Sequence, residues 1–257
     1  MLLSSVAPTT ATRHGLAVLR RDAGRDALWV AALLALVAGA VVAMGWLGAG
    51  FALKALAVFA LASGLAWRGL AGHMPHRRFG AANRVTLLRL AMIALLAGAI
   101  GEAPHAPAPL AWTAVVLATT AALLDALDGP LARSQGLASD FGARFDMESD
   151  ALLMGVLSLL VWHFGKAGGW IVLAGLARYL FVAAAWAWPW LAWPLPPSLR
   201  RKAVCVLAIT GLIVCLGPVI AVPWSQAIGA ACLALLAFSF GADLLWLGRR
   251  RLLARET

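Results

Sequence analysis

Long apolar runs, separated by short polar or proline-rich segments, dominate the sequence. At the 1.5 Å rise per residue of an α-helix, most of these runs are long enough to approach or cross the roughly 30 Å hydrocarbon core of a bilayer. The pattern therefore predicts eight membrane-spanning helices. Their approximate bounds are 27–47, 51–67, 85–100, 110–127, 141–164, 170–188, 203–220 and 226–247.

Glycine, proline and basic residues mark the breaks between these runs. Gly129–Pro130 predicts the end of the fourth helix, because proline lacks the backbone N–H that a helix interior needs. Asp140 is predicted to cap the N-terminus of the fifth helix. The basic segment 68–84 predicts an interfacial helix, with His73 and His76 at the membrane surface.

Composition supports the same fold class. Apolar residues make up 63% of the chain, charged residues make up 12%, and the mean hydropathy is +0.88. Soluble domains are only about 45–50% apolar. The chain is therefore predicted to be an all-α, polytopic membrane helix bundle. Cys205, Cys215 and Cys232 have neither CxxC nor Cys/His spacing, which indicates neither a zinc site nor a disulfide framework.

The formal charge of +10 is distributed unevenly over the predicted topology. Eight spans place both termini on one side, and that side receives nearly all the basic residues, including Arg133, Arg144 and the 200–202 cluster. Only Lys54 and Lys166 fall on the other side. The positive-inside rule therefore places both termini in the cytoplasm of a bacterial-type inner membrane. Membrane lipids explain the basic excess, so no nucleic-acid partner is expected.

The acidic residues are concentrated in one window. Six of the 11 lie between Asp125 and Asp150, at the predicted cytoplasmic ends of the fourth and fifth spans. Asp125 and Asp128 are three residues apart, and Asp146 and Asp150 are four apart, so each pair shares a helix face. Carboxylates at this depth are costly unless a cation neutralises them. The window is therefore a candidate metal site.

Side-by-side packing of the two helices would bring Asp125, Asp128, Asp146 and Asp150 into one oxygen-rich pocket. Such a set suits Mg²⁺ or Mn²⁺ rather than zinc. Four negative charges exceed the need of one divalent ion, so we expect two ions, an arrangement that typically clamps phosphoryl groups. Asp150, deepest along the fifth helix, is the candidate general base. Arg133 is placed to hold a phosphate bidentately.

The same residues resemble a known family. The pattern D-x2-D-G-x2-A-R-x8-G-x3-D-x3-D over Asp125–Asp150 resembles the signature of the CDP-alcohol phosphotransferases, and all eight positions have the right gaps. A second motif, N-x-x-T-x-x-R at Asn83–Arg89, resembles the start of the family's first core helix. The resemblance implies a six-helix core, placed here at 85–248. The other predicted segments are a cytoplasmic segment at 1–26, two extra transmembrane helices at 27–67, the interfacial segment at 68–84 and a basic tail at 249–257.

The resemblance also implies an activity: metal-dependent transfer of a phosphatidyl group from CDP-diacylglycerol, or a similar CDP-lipid, to a small alcohol, with release of CMP. The four aspartates would hold the two divalent ions against the pyrophosphate, and Asp150 would deprotonate the acceptor hydroxyl. The residues implied to bind the CDP-lipid are Asn83, Thr86, Gly129, Ala132, Arg133, Ser139 and Gly142. The family further implies a homodimer.

The acceptor stays open at this stage. The stretch ARFDMESDA after Gly142 matches neither the phosphatidylglycerophosphate enzymes nor the serine enzymes of the family. A phosphorylated acceptor, such as glycerol 3-phosphate or an inositol phosphate, would suit the basic cluster after the sixth span, although positive-inside charge alone also accounts for that cluster. Arg178 inside the sixth span is a further candidate, and it could instead reach the interface or pair with Asp243. The candidate acceptor residues are Arg178, Arg200, Arg201 and Lys202.

Two other functions are compatible with parts of the pattern. A membrane prenyltransferase would also bind a diphosphate through aspartate-rich motifs, but its two motifs lie far apart in sequence, whereas both halves here fall within one short window. A cation transporter or a non-enzymatic membrane scaffold is the second alternative. Transport predicts discontinuous helices at mid-membrane, and these carboxylates lie toward one side.

Overall fold

The computed structural model describes residues 10–102, 108–196 and 198–253, and the side chains of residues 10–13, 128, 130 and 253 lie outside the description. Within these ranges the chain forms eight α-helices, one for each predicted span. They are α1 (Thr10–Ala43), α2 (Ala49–Arg68), α3 (Ala81–Gly98), α4 (Ala108–Ser134), α5 (Asp140–His163), α6 (Val172–Ala187), α7 (Leu199–Leu216) and α8 (Trp224–Leu253). Three short 3₁₀ helices lie at Leu70–His73, Gly169–Ile171 and Pro189–Ala192. The predicted all-α class is confirmed.

Six of these helices are long and apolar enough to cross a membrane: α1, α2, α3, α4, α6 with its preceding 3₁₀ turn, and α8. The other two, α5 and α7, carry three charged residues each within the stretch that would have to span: Asp146, Glu148 and Asp150 in α5, and Arg200, Arg201 and Lys202 in α7. The protein is therefore a multi-pass membrane protein. Among the described residues, eight helices are confirmed and six of them meet the criteria of length and composition, so the crossing of the membrane by α5 and α7 stays a prediction.

Glycines in the left-handed conformation end three of the helices. Gly45, Gly136 and Gly165 have φ values of 71°, 63° and 68°. At each, the glycine N–H and the following N–H bond back to carbonyls of the last helical turn, as in Leu137 N to Ala132 O at 3.0 Å. A side chain at these positions would be strained, so glycine defines where the helix stops.

The predicted end of α4 at Gly129–Pro130 is wrong. The helix continues through Pro130 to Ser134 and stops only at Gly136. A proline removes a single backbone donor, and helices in an apolar surrounding tolerate that loss when the rest of the ladder is intact. Arg133 therefore lies on the same continuous helix, α4, as Asp125.

The segment 68–84 is not the single interfacial helix that the sequence predicts. Arg68 belongs to α2, four residues form the 3₁₀ helix Leu70–His73, and α3 begins at Ala81. Glycines at 69, 72 and 80 and a proline at 75 interrupt the backbone here, and Gly80 has a φ of 85°. The segment is therefore a folded connection that leads into α3.

The helices fall into two compact units, with the boundaries inside α4 and α5. The first unit contains residues up to Gly98 together with Thr120–Ser149. Its central element is α3, which is mostly buried and packs against α1 and α2. Gly98 allows α2 to approach closely, because a Cβ there would lie 2.7 Å from the Phe51 carbonyl oxygen.

The second unit contains Ala99–Thr119 and the chain from Asp150 onward. Its most extensive helix pair is α7 with α8, where Gly211 leaves room for the Cys232 sulfur. Lys166 donates to the carbonyl oxygens of Gly217 at 3.0 Å and Ile220 at 2.8 Å. The ammonium group of this lysine thus compensates the partial negative charge of the carbonyl oxygens that follow the C-terminus of α7.

Candidate metal and substrate site

A buried polar stripe runs along the first half of α3. Asn83, Thr86 and Arg89 are spaced three apart on one face and are 5%, 2% and 0% exposed. The Asn83 amide donates to the Phe79 carbonyl oxygen at 2.5 Å, and the Thr86 hydroxyl donates to the Ala82 carbonyl oxygen at 3.1 Å. The stripe ends on Arg89, whose charge must be compensated inside the protein.

Two aspartates of the acidic motif compensate that charge. Arg89 Nη1 lies 2.6 Å from Asp125 Oδ1 on α4 and 2.6 Å from Asp146 Oδ1 on α5. Its Nε donates to the Ala121 carbonyl oxygen at 3.0 Å. The guanidinium is fully buried, whereas the two carboxylates are 31% and 39% exposed. Arg89 therefore joins α3, α4 and α5, and the carboxylates keep an accessible side.

Three carboxylates lie together at this position. Asp125, Asp146 and Asp150 each offer one oxygen, and these oxygens lie within 4.8 Å of one another. Asp150 follows Asp146 by one turn of the continuous helix α5, so helical geometry sets that spacing. Three half-buried carboxylate oxygens at this separation fit a hard divalent cation such as Mg²⁺, Mn²⁺ or Ca²⁺. The sequence also places Asp128 in this set, and its side chain lies outside the described residues.

Gly129 and Arg133 are adjacent across one turn of α4. A Cβ on Gly129 would lie 3.2 Å from Arg133 Nη1. The missing side chain thus lets the guanidinium fold back over the helix backbone. Arg133 is exposed and Ala132 is half-buried, so the arginine is accessible to an anion.

Ser139, rather than Asp140, caps α5. Asp140 is the first helical residue, and the Gly142 N–H donates to the Ser139 hydroxyl at 3.1 Å. Gly142 faces α3, because a Cβ there would lie 3.2 Å from Asn83 Oδ1 and 3.5 Å from Ser139 Oγ. The structure thus brings Asn83, Ser139 and Gly142 together at the start of α5.

His73 joins the same group of contacts, although the sequence does not predict its burial. Its ring is fully buried, with Nδ1 2.6 Å from Ser139 Oγ and Nε2 2.9 Å from the Arg78 carbonyl oxygen. Because a carbonyl only accepts, Nε2 carries the hydrogen, and in the neutral ring Nδ1 accepts from the Ser139 hydroxyl. Burial lowers the pKa of His73, which favours that neutral form.

The candidate acceptor residues lie in the second unit. Asp243 of α8, which is buried, accepts from Arg200 Nη2 at 2.5 Å and Arg201 Nη1 at 3.0 Å. Arg200 also donates to the Ser239 hydroxyl at 3.0 Å, and Arg201 donates to the Pro196 carbonyl. These two arginines therefore link α7 to α8.

The remaining two acceptor candidates differ in exposure. Lys202 is exposed, and Arg178 on α6 is half-buried. An exposed ammonium group is available to a ligand without breaking a contact with Asp243.

The sequence analysis placed Arg89 in the N-x-x-T-x-x-R motif without assigning it a role, and it did not predict the burial of His73. A charged residue at the fifth position of the predicted span 85–100 is the signal for Arg89, because an arginine buried inside an apolar helix needs an acidic partner. For His73 no comparable signal exists. Its burial depends on the fold of the 68–80 connection against the start of α5.

A family model described as "CDP-alcohol phosphatidyltransferase" matches residues 79–240. Two curated relatives, both described as "Probable phosphatidylglycerophosphate synthase", come from the Mycobacterium tuberculosis strains CDC 1551 / Oshkosh and ATCC 25618 / H37Rv. Each is 38% identical to this chain over 104 residues, which covers 39% of this chain and 48% of the relative. The match therefore spans about half the length of these relatives. No solved structure gives a significant match.

Proposed function

Because this chain belongs to the CDP-alcohol phosphatidyltransferase family, we propose that it transfers a phosphatidyl group from CDP-diacylglycerol, or a similar CDP-lipid, to an alcohol and releases CMP. The observation that carries the proposal is the grouping of the motif residues Asp125, Asp146 and Asp150 within 4.8 Å, beside buried Arg89. The family match covers well over half of the chain, so neither the prenyltransferase nor the transporter alternative is retained.

The donor site would be formed by the two halves of the motif. Asp125, Asp128, Asp146 and Asp150 would hold one or two Mg²⁺ or Mn²⁺ ions, which when bound would neutralise a pyrophosphate and stabilise charge on the transferred phosphoryl group. Exposed Arg133 would contact a phosphate oxygen. The other residues proposed to line the CDP-lipid site are Asn83, Thr86, Gly129, Ala132, Ser139 and Gly142.

The proposed transfer is a single displacement at phosphorus. The Asp150 carboxylate accepts the proton of the acceptor hydroxyl, and the acceptor oxygen forms a bond to the phosphorus that carries the lipid. The bond between that phosphorus and the bridging oxygen of CMP breaks, and CMP leaves with the electron pair. The position of Asp150 among the three clustered carboxylates supports this role, because a general base must lie within hydrogen-bond reach of the hydroxyl that attacks the phosphorus.

We propose glycerol 3-phosphate as the acceptor, so that the product is phosphatidylglycerophosphate, in line with the description of the two mycobacterial relatives as probable phosphatidylglycerophosphate synthases. The phosphate of this acceptor would be bound by the candidate acceptor residues, Arg178, Arg200, Arg201 and Lys202. Lys202 is the first choice among them because Arg200 and Arg201 already donate to Asp243. An inositol phosphate would present the same phosphate chemistry.

The orientation and assembly of the protein are also proposals. The distribution of basic residues supports an active site and both termini on the cytoplasmic side of the cell membrane. The family supports a homodimer.

We expect purified protein in lipid nanodiscs to release CMP from CDP-diacylglycerol only when both a divalent cation and an acceptor alcohol are present. Glycerol 3-phosphate should be the best acceptor in a panel with glycerol, serine, inositol and inositol phosphate. Radiolabelled acceptor and chromatography of the lipid product measure the transfer. If no alcohol in the panel supports CMP release at any Mg²⁺ or Mn²⁺ concentration, the transferase proposal fails.

Lys202→Ala should raise the KM for glycerol 3-phosphate by about tenfold, the effect of losing about 1.4 kcal/mol from one charge-assisted contact. The KM for CDP-diacylglycerol should stay unchanged. Steady-state rates with glycerol 3-phosphate and with unphosphorylated glycerol check the assignment within the same variant. Equal losses with both acceptors would remove Lys202 from the phosphate site.

A further inference from the structure

The N-terminal helix α1 lies outside the region that the family model matches, yet it contacts the residue at which that region begins. Asp22 Oδ2 on α1 accepts from the Phe79 N–H at 2.9 Å. One turn further along, Asp26 Oδ2 lies 2.6 Å from Arg84 Nε on α3. The two aspartate side chains are only 20% and 13% exposed. Two contacts of charged carboxylates thus join α1 to the start of α3, one at Phe79, two residues before the helix, and one at Arg84 in its first turn.

Gly80 and Ala81, at the start of α3, also contact the turn that follows α4. The Ala81 N–H donates to Gln135 Oε1, in the turn after α4, at 3.0 Å. Gly80 has a φ of 85°, and a Cβ there would lie 2.8 Å from Leu137 Cδ1. The start of α3 is therefore fixed between α1 and the turn that connects the two halves of the acidic motif.

Apolar packing supports the position of α1. Leu19 and Ala23, which flank Asp22 on the helix, are fully or almost fully buried. Gly24 permits close contact with α2, because a Cβ there would lie 3.1 Å from the ring of Trp67. The carboxylates of Asp22 and Asp26 consequently have little freedom to turn away from α3.

We propose that α1 is a positioning element for the metal site, and that Asp22 and Asp26 set the depth and rotation of α3 in the first unit. Arg89 lies on α3 and contacts both Asp125 and Asp146. A shift at the start of this helix is transmitted along its rigid hydrogen-bonded backbone to Arg89. The metal ligands would then lose the spacing that suits a divalent ion. The inference rests on the proposed function only for the identity of the cation.

The contact from Asp22 is stronger than an ordinary surface ion pair. Exposed pairs contribute little, because water and salt screen them. Asp22, in contrast, accepts a charge-assisted hydrogen bond from a backbone N–H, and Phe79 itself is 4% exposed. Arg25 provides a matched comparison, since it contacts Asp22 at 2.9 Å from the outside and its side chain is 62% exposed.

The test measures Mn²⁺ binding by electron paramagnetic resonance in full-length protein without substrate. We expect Asp22→Ala to weaken Mn²⁺ binding by about threefold to tenfold, less than the ~10–100-fold typical of groups that contact the metal ligands directly. Asp22→Asn keeps a neutral oxygen acceptor for the Phe79 N–H and should lose clearly less Mn²⁺ affinity than Asp22→Ala. Arg25→Ala, which leaves the contact between α1 and α3 intact, should match the wild type.

A double-mutant cycle tests the second contact. Asp26→Ala and Arg84→Ala should each weaken Mn²⁺ binding, and the double variant should lose no more than either single variant, because the pair acts as one contact. Unchanged Mn²⁺ binding in Asp22→Ala and in the cycle would overturn the proposal, even if the melting temperature falls. So would an equal loss in Asp22→Asn and Asp22→Ala. Neither readout requires turnover, so this inference and the transferase proposal can fail separately.

Discussion

Replacing Asp150 by asparagine should reduce acceptor-dependent CMP release by about 10²–10⁴-fold, the usual contribution of a positioned general base. The physical reason is that an amide oxygen can still lie near a cation but cannot take the proton of the acceptor hydroxyl. Single-turnover measurement of CMP release at saturating CDP-diacylglycerol and glycerol 3-phosphate isolates this step.

Two variants on the same helix make the Asp150 result specific. Asp146→Asn removes a proposed ligand that is not the proposed base, so saturating Mn²⁺ should restore more of the rate of CMP release to Asp146→Asn than to Asp150→Asn. Glu148→Gln removes a carboxylate from the same turn of α5 but outside the cluster of three, and its rate should stay within about twofold of the wild type, as for a residue remote from the chemistry. Near-normal turnover in Asp150→Asn would exclude Asp150 as the base.

Arg89→Met should destabilise the protein by about 2–4 kcal/mol. Removing one partner of a buried ion pair typically costs about 3–5 kcal/mol, and partial exposure of Asp125 and Asp146 lowers that cost through solvent screening. CMP release should fall with stability, because the two carboxylates would repel each other and move apart. Thermal unfolding in nanodiscs measures the first effect.

Thermal unfolding with added divalent cation distinguishes a role of Arg89 in the metal site from a general packing defect in Arg89→Met. Mn²⁺ binds the folded state, so it should add less stability to Arg89→Met than to the wild type, because the carboxylates of Asp125 and Asp146 no longer keep the spacing that suits the ion. Arg144→Met, an exposed arginine of the same unit, should unfold like the wild type. Equal stabilisation of Arg89→Met and the wild type by Mn²⁺ would contradict the role of Arg89 as the counter-charge.

Features that depend on consecutive or regularly spaced residues were predictable from the sequence, and contacts between residues far apart along the chain were not. The eight helices were predictable because hydropathy and helical length are properties of consecutive residues. The clustering of Asp146 and Asp150 on one face was predictable because a helix repeats every 3.6 residues. The predicted end of α4 was several residues too early, because the helix continues through Pro130. It ends just before Gly136, whose left-handed conformation is incompatible with a further helical turn.

The sequence by itself determined the membrane class, the acidic motif and the family, since each depends on local composition or fixed spacing. Only the tertiary structure decided which groups neutralise and hold these residues: Arg89 between Asp125 and Asp146, Asp22 on the N–H of Phe79, and Asp243 against Arg200. The physical reason is that these contacts join residues 36 or more positions apart. Such pairs are selected by how helices pack, and no periodicity along the chain encodes them.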